Sequence, residues 1–131
     1  MIKGGYILQP RIIQESEVMK WGPCVREIWF WILRKAKFKD EAGISRGSFY
    51  FMQKDIQDDL CWYVGFRRET YSKDQITKAL RKLCEGGMIE TTKATRGTVC
   101  KVLKYSYYQD PNNYEGNNEG NTKATRRQYG Y

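Results

Sequence analysis

The sequence contains no histidine, and its four cysteines, Cys24, Cys61, Cys84 and Cys100, form no C-x-x-C pair. Without histidine the commonest general base and nucleophile activator is missing. A zinc site would have to gather thiolates from four scattered positions. Each cysteine sits in an apolar run, so buried, free, reduced thiols are expected. No catalytic constellation stands out, and the chain is read as a non-enzyme with no metal and no cofactor. Long apolar runs are absent too. The longest, "IWFWIL", falls far short of a membrane span. No signal-like segment opens the chain. These absences lead to an expected cytoplasmic location and no membrane partner.

What is present is positive charge. The 131 residues hold 23 Lys and Arg against 15 Asp and Glu, a formal net charge of +8. That excess favours a polyanionic partner, nucleic acid first. The length suggests one domain, and aromatics at 15% supply ample core material. The charge is unevenly placed. Residues 72–105 contain eight cations and three acids, whereas residues 41–71 are slightly acidic.

The order of elements can be read along the chain. Residues 1–20 form a lead-in segment in which Gly4, Gly5 and Pro10 argue against a long helix, with a short strand at 6–8. "WGPCVREIWFWILRKAKF" is a core helix with Pro23 at its first position. Its stripe is Val25, Ile28, Trp29, Ile32, Leu33 and Ala36. "SFYFMQ" reads as a short strand and "KDIQDDLCWYV" as a second helix, with Ile56, Leu60 and Val64 inward and Gly65 as its stop. "FRRETY" is then a turn, so the connection is longer than a minimal helix-turn-helix turn.

"YSKDQITKALRKLCEGGMIE" carries the strongest pattern. Ile76, Ala79, Leu80, Leu83 and Cys84 fall at i, i+3, i+4, i+7 and i+8, one face of a helix. Ser72 and Gln75 make the S-x-x-Q form of the capping box, and Gly86-Gly87 ends the helix. The remaining positions carry Lys73, Gln75, Thr77, Lys78, Arg81 and Lys82. "MIETTKA", "TRG" and "TVCKVLKYSYY" follow as a β-hairpin with Lys93, Thr95 and Arg96 at its tip. From residue 110 onward the chain is rich in Asn and Gly and reads as a flexible polar tail or linker.

This order implies a fold that is mainly α with a small β-hairpin, a winged helix-turn-helix over residues 21–109. In that mode the third helix enters the major groove of double-stranded DNA, and the hairpin wing rests on the adjacent backbone or groove. The expected DNA-binding residues are Arg67, Arg68, Ser72, Lys73, Gln75, Thr77, Lys78, Arg81, Lys82, Lys93, Thr95 and Arg96.

Several stretches resemble a known family. "GGYILQPRII", "WILRKAKFKD", "GISRGSFYFMQKDIQDDL", "YSKDQITKALRKLCEGGMIETTKATRGT" and the exit "VCKVLKYSYYQD" are together similar to the amino-terminal domain of phage and prophage DnaD-like replication-initiation proteins. The resemblance covers about residues 3–110. It implies a winged-helix fold, duplex binding at a replication origin, and a helicase or helicase loader as partner. A homodimer is compatible with it.

Three other functions fit parts of the same sequence. A transcriptional regulator of the same fold would use the same surface. A protein-interaction module would carry the basic face merely as a solvated one. Single-strand binding would use Tyr105, Tyr107, Tyr108, Tyr114, Tyr129 and Tyr131 as stacking platforms, with Lys104, Arg126 and Arg127 as clamps.

Overall fold

The computed structural model describes residues 1–41 and 43–116. Helix α1, Pro23–Lys35, opens with its proline in the first turn and buries Val25, Ile28, Trp29, Trp31, Ile32 and Leu33. Ile28 and Ile32 are fully buried, and so are Ile76 and Leu83 of helix α3, Lys73–Glu85, which packs against α1. Each such side chain stabilises the fold by about 1.5–3 kcal/mol relative to exposure. The capping box of α3 forms as its sequence predicts. Ser72 Oγ accepts from the Gln75 amide at 3.1 Å, and Gln75 Oε1 accepts from the Ser72 amide at 2.8 Å.

Strand β1, Ser48–Phe51, alternates and sends Phe49 and Phe51 into the core. Both rings meet Trp31 edge-on, with centroids 5.4 and 5.7 Å away. Helix α2, Gln53–Asp59, starts where the Asp55 carboxylate accepts from the Met52 amide at 2.8 Å. Strand β2, Trp62–Val64, then pairs antiparallel with β3, Arg67–Glu69. After α3, strands β4, Ile89–Lys93, and β5, Thr98–Val102, form a hairpin. β5 also pairs with β1, which gives a three-stranded antiparallel sheet in the order β1–β5–β4.

The fold is therefore mixed α/β. The expectation of a mainly α winged helix-turn-helix is corrected by two sheets, one of three strands and one of two. The physical reasons are local. β1 supplies a third strand because its inward phenylalanines belong to the same core as β5. The second sheet arises because α2 stops at Asp59 rather than at residue 64. Trp62, Tyr63 and Val64 are β-formers, and they face Arg67–Glu69 across a two-residue loop. Gly65 takes φ 65° there, so it turns a hairpin and does not stop a helix. "FRRETY", expected as a turn, supplies the returning strand.

Smaller corrections follow the same logic. α1 ends at Lys35, and Phe38 beyond it is exposed. The hairpin ends at Val102, and Lys104 at φ 62° leads into a short helix α4, Tyr105–Tyr108. The lead-in has no strand at 6–8. It makes two 3-10 turns, Arg11–Glu15 and Glu17–Lys20, and buries Val18. Leu8 exchanges two backbone hydrogen bonds with the Gln109 side chain, at 2.8 and 3.0 Å.

Beyond α4, Asp110 caps a turn at Pro111–Asn113, and the Tyr114 hydroxyl donates to the Tyr108 carbonyl at 2.7 Å. The rest of the expected tail, with Tyr129, Tyr131, Arg126 and Arg127, lies outside the described residues. Only Cys100 of the cysteines is buried, where burial pushes its thiol up to about 12. Among the described residues no helix is long and apolar enough to cross a membrane.

Candidate nucleic-acid interface

All twelve expected DNA-binding residues are exposed. Their surroundings divide them. Arg67 pairs with Glu69, Arg68 with Asp58 at 3.0 Å, and Lys78 with Asp74 at 3.1 Å. The Lys82 ammonium lies 5.2 Å from the centre of the Trp21 ring. Ser72 and one end of Gln75 are committed to the cap. Lys73, Arg81, Lys93 and Arg96 make no ion pair among the described residues.

Two of these four cations lie on α3 and two at the tip of the β4–β5 hairpin. Residues four apart share one flank of a helix, so Lys73, Thr77 and Arg81 form a row along α3. Thr77 marks where that row points. Its Oγ1 accepts from Gln53 Nε2, on the first turn of α2, at 2.9 Å. Gln53 in turn lines an open cleft of about 450 Å³ whose other wall is the β4–β5 tip from Lys93 to Thr98. Further along, Cys84 Sγ lies 3.8 Å from Thr91 Oγ1 of β4. β4 thus runs back along α3 from its C-terminal end. The hairpin tip arrives beside the N-terminal half of the helix.

The polar strip is rotated from where a simple helical wheel puts it. Directly opposite the buried Ile76, Ala79 and Leu83 stand Asp74, Lys78 and Glu85, with Arg81 on the hairpin-side edge of that line. That line carries two acids, and one of its cations is already neutralised. The cationic surface lies toward the hairpin instead, on Lys73, Arg81, Lys93 and Arg96, with the hydroxyls of Thr77 and Thr95. Lys82 faces the other way, over Trp21.

The hairpin tip is held in place. The Ala94 amide donates to the Gly97 carbonyl at 2.9 Å and closes the turn. A Cβ on Gly97 would lie 2.6 Å from the Phe51 carbonyl oxygen, so a side chain there would push the tip off β1.

Sequence reasoning missed two participants. Gln53 links α2 to α3 and lines the cleft facing the hairpin tip, and nothing in its local pattern marks it. Hairpin β2–β3 leaves Trp62, Tyr63, Val64 and Phe66 exposed, and the alternation around Gly65 was the available signal. Asp58 is held below the usual carboxylate range, first by the Lys54 hydrogen bond and then, against a smaller desolvation, by Arg68. Among the described residues no group of three or more His, Cys, Asp or Glu side chains lies together. No family model, no curated protein and no solved structure matches this chain.

Proposed function

We propose that the chain is a cytoplasmic duplex DNA-binding unit of a phage-type replication-initiation protein. α3 enters the major groove along its Lys73–Thr77–Arg81 row, and the β4–β5 tip rests on the adjacent backbone or groove. One observation carries the proposal. Lys73 and Arg81 on α3, and Lys93 and Arg96 at the hairpin tip, have no acidic partner among the described residues, and Gln53, bonded to Thr77 of α3, lines the cleft whose other wall is that tip. The replication role, and a helicase or helicase loader as partner, rest on the motif resemblance alone.

The test is fluorescence anisotropy with random duplex and random single-stranded DNA, from about 50 to 200 mM salt. Duplex binding should fall with a log–log slope of roughly −3 to −4, about 0.9 for each of the four cations. Single strands should bind more weakly. Absence of duplex binding at the lowest salt overturns the proposal.

A further inference from the structure

The β2–β3 hairpin projects from the molecule between α2 and α3. Among the described residues its two strands pair only with each other, and Phe66 at its tip is fully exposed. Exposed aromatics of this size, gathered on one small element, need an occupant. Nor does the ribbon hang loose. At one side the Trp62 ring leans against Tyr71, with ring centroids 5.2 Å apart, and Tyr71 packs against the core. At the other side Arg68 reaches Asp58 on α2. The base of the ribbon is therefore tied both to α2 and to the residue just before α3.

We infer that this hairpin is a second DNA-contacting element, with Phe66 as an apolar wedge against a base step flanking the major-groove site. This rests on the proposed docking of α3. Residues 70–72 alone separate β3 from α3, so the base of the ribbon lies at most about 14 Å from Lys73. The ribbon extends about 10 Å further. A major groove is about 12 Å wide. With the N-terminal turn of α3 in the groove, that length lets the hairpin reach the bordering backbone and the neighbouring minor groove. Its chemistry fits that place. Proteins that kink duplex DNA combine an apolar wedge with flanking cations, and Phe66 is followed by Arg67 and Arg68. Both arginines sit in solvent-exposed ion pairs, which are weak and can be exchanged for phosphate contacts.

The experiment uses the full chain, short duplexes carrying a fluorescent adenine analogue at a central pyrimidine–purine step, and the variants Phe66→Ala and Phe66→Leu. Wild type should raise the fluorescence by unstacking the step. Phe66→Ala should abolish the rise and weaken duplex affinity on the order of tenfold. Phe66→Leu should retain most of both. Thermal melts should coincide, because Phe66 packs against nothing. If wild type binds duplex DNA with steep salt dependence and Phe66→Ala matches it in affinity and fluorescence, the wedge is wrong and the docking of α3 stands. If Phe66→Ala instead abolishes self-association in sedimentation while duplex affinity is unchanged, the occupant is a second copy of the chain, and the wedge is again wrong. If wild type binds no duplex at all, the docking of α3 fails first and takes the wedge with it.

Discussion

The two hairpins of this protein are both antiparallel ribbons, but the fold holds them differently. β4–β5 is anchored: β5 pairs on its far side with β1, and Cys100 and Val102 point into the core. Among the described residues β2–β3 has no third strand, and it buries almost nothing. The anchored hairpin carries polar and cationic side chains at its tip, where the chain has cations to spare. The free hairpin carries aromatics, and its arginines are matched by acids. A third strand releases the tip of β4–β5 from any duty to stabilise itself, so its residues are available to a ligand. The free ribbon must hold itself together by cross-strand and local pairs, such as Arg67 with Glu69.

The largest difference should appear in stability. Gly97→Ala places a methyl against the Phe51 carbonyl and the Tyr50 ring. Overpacking of that kind should cost about 2–3 kcal/mol and lower the urea midpoint clearly. Gly65→Ala meets nothing within 4 Å. It suffers only the positive-φ penalty, in a ribbon that can open by itself, so the global midpoint should move by less than about 1 kcal/mol. Equal losses in the two variants would mean that the free hairpin is part of the cooperative core.

DNA binding should separate the same regions less sharply. Arg81→Ala and Arg96→Ala remove unpaired cations. Each should weaken random-duplex affinity about five- to tenfold at low salt and reduce the log–log salt slope by about 0.9. Arg67→Ala and Lys78→Ala remove cations that already have an acid beside them, so about two- to threefold is expected at the same salt. Melting temperatures should stay within about 2 °C of wild type in all four, since every one of these side chains is exposed. If Lys78→Ala proves as damaging as Arg81→Ala, the helix docks by its outermost line and not by the flank facing the hairpin.

Much of the frame was legible in the chain. Ser72 and Gln75 marked the start of α3, the spacing of Ile76, Ala79 and Leu83 gave its buried face, and Thr- and Val-rich flanks marked β4 and β5. The second hairpin was not, because Ile56, Leu60 and Val64 happen to keep a helical spacing across the end of α2. A contrary signal was present. Asp58 and Asp59 would be poorly placed in the middle of a longer helix and worse near its C-terminal end, where the dipole disfavours acids. Exposure of the candidate site residues was predictable from their types. Which of them are neutralised was not. Arg68 meets Asp58 only because β3 folds back beside α2, and Lys82 meets Trp21 only because the lead-in packs under the end of α3. Those contacts are tertiary, and local sequence patterns do not reveal them.

The smallest expected effect concerns the neighbouring acid, Asp59, which serves the anchored side of the molecule as Asp58 serves the free ribbon. Asp59 accepts from the Trp31 indole at 2.9 Å and pairs with Lys35 at 3.1 Å. The Trp31 hydrogen bond, then Lys35 against a smaller desolvation, hold its carboxyl below the usual value of 3.8. A depressed folded value means that its contribution is full above the unfolded value and is lost as pH falls through the folded one. Stability should therefore decline on the acid side, below about pH 4. Asp59→Asn keeps an acceptor for the indole and removes the charge. It should flatten that acid limb and change stability at neutral pH by only a few tenths of a kcal/mol, because the ion pair is solvent-exposed. Urea titrations of both proteins from neutral pH into the acid range would show it. An unchanged acid limb in Asp59→Asn would assign the decline to other carboxylates, with Asp58 and its hold on the β2–β3 ribbon next in line.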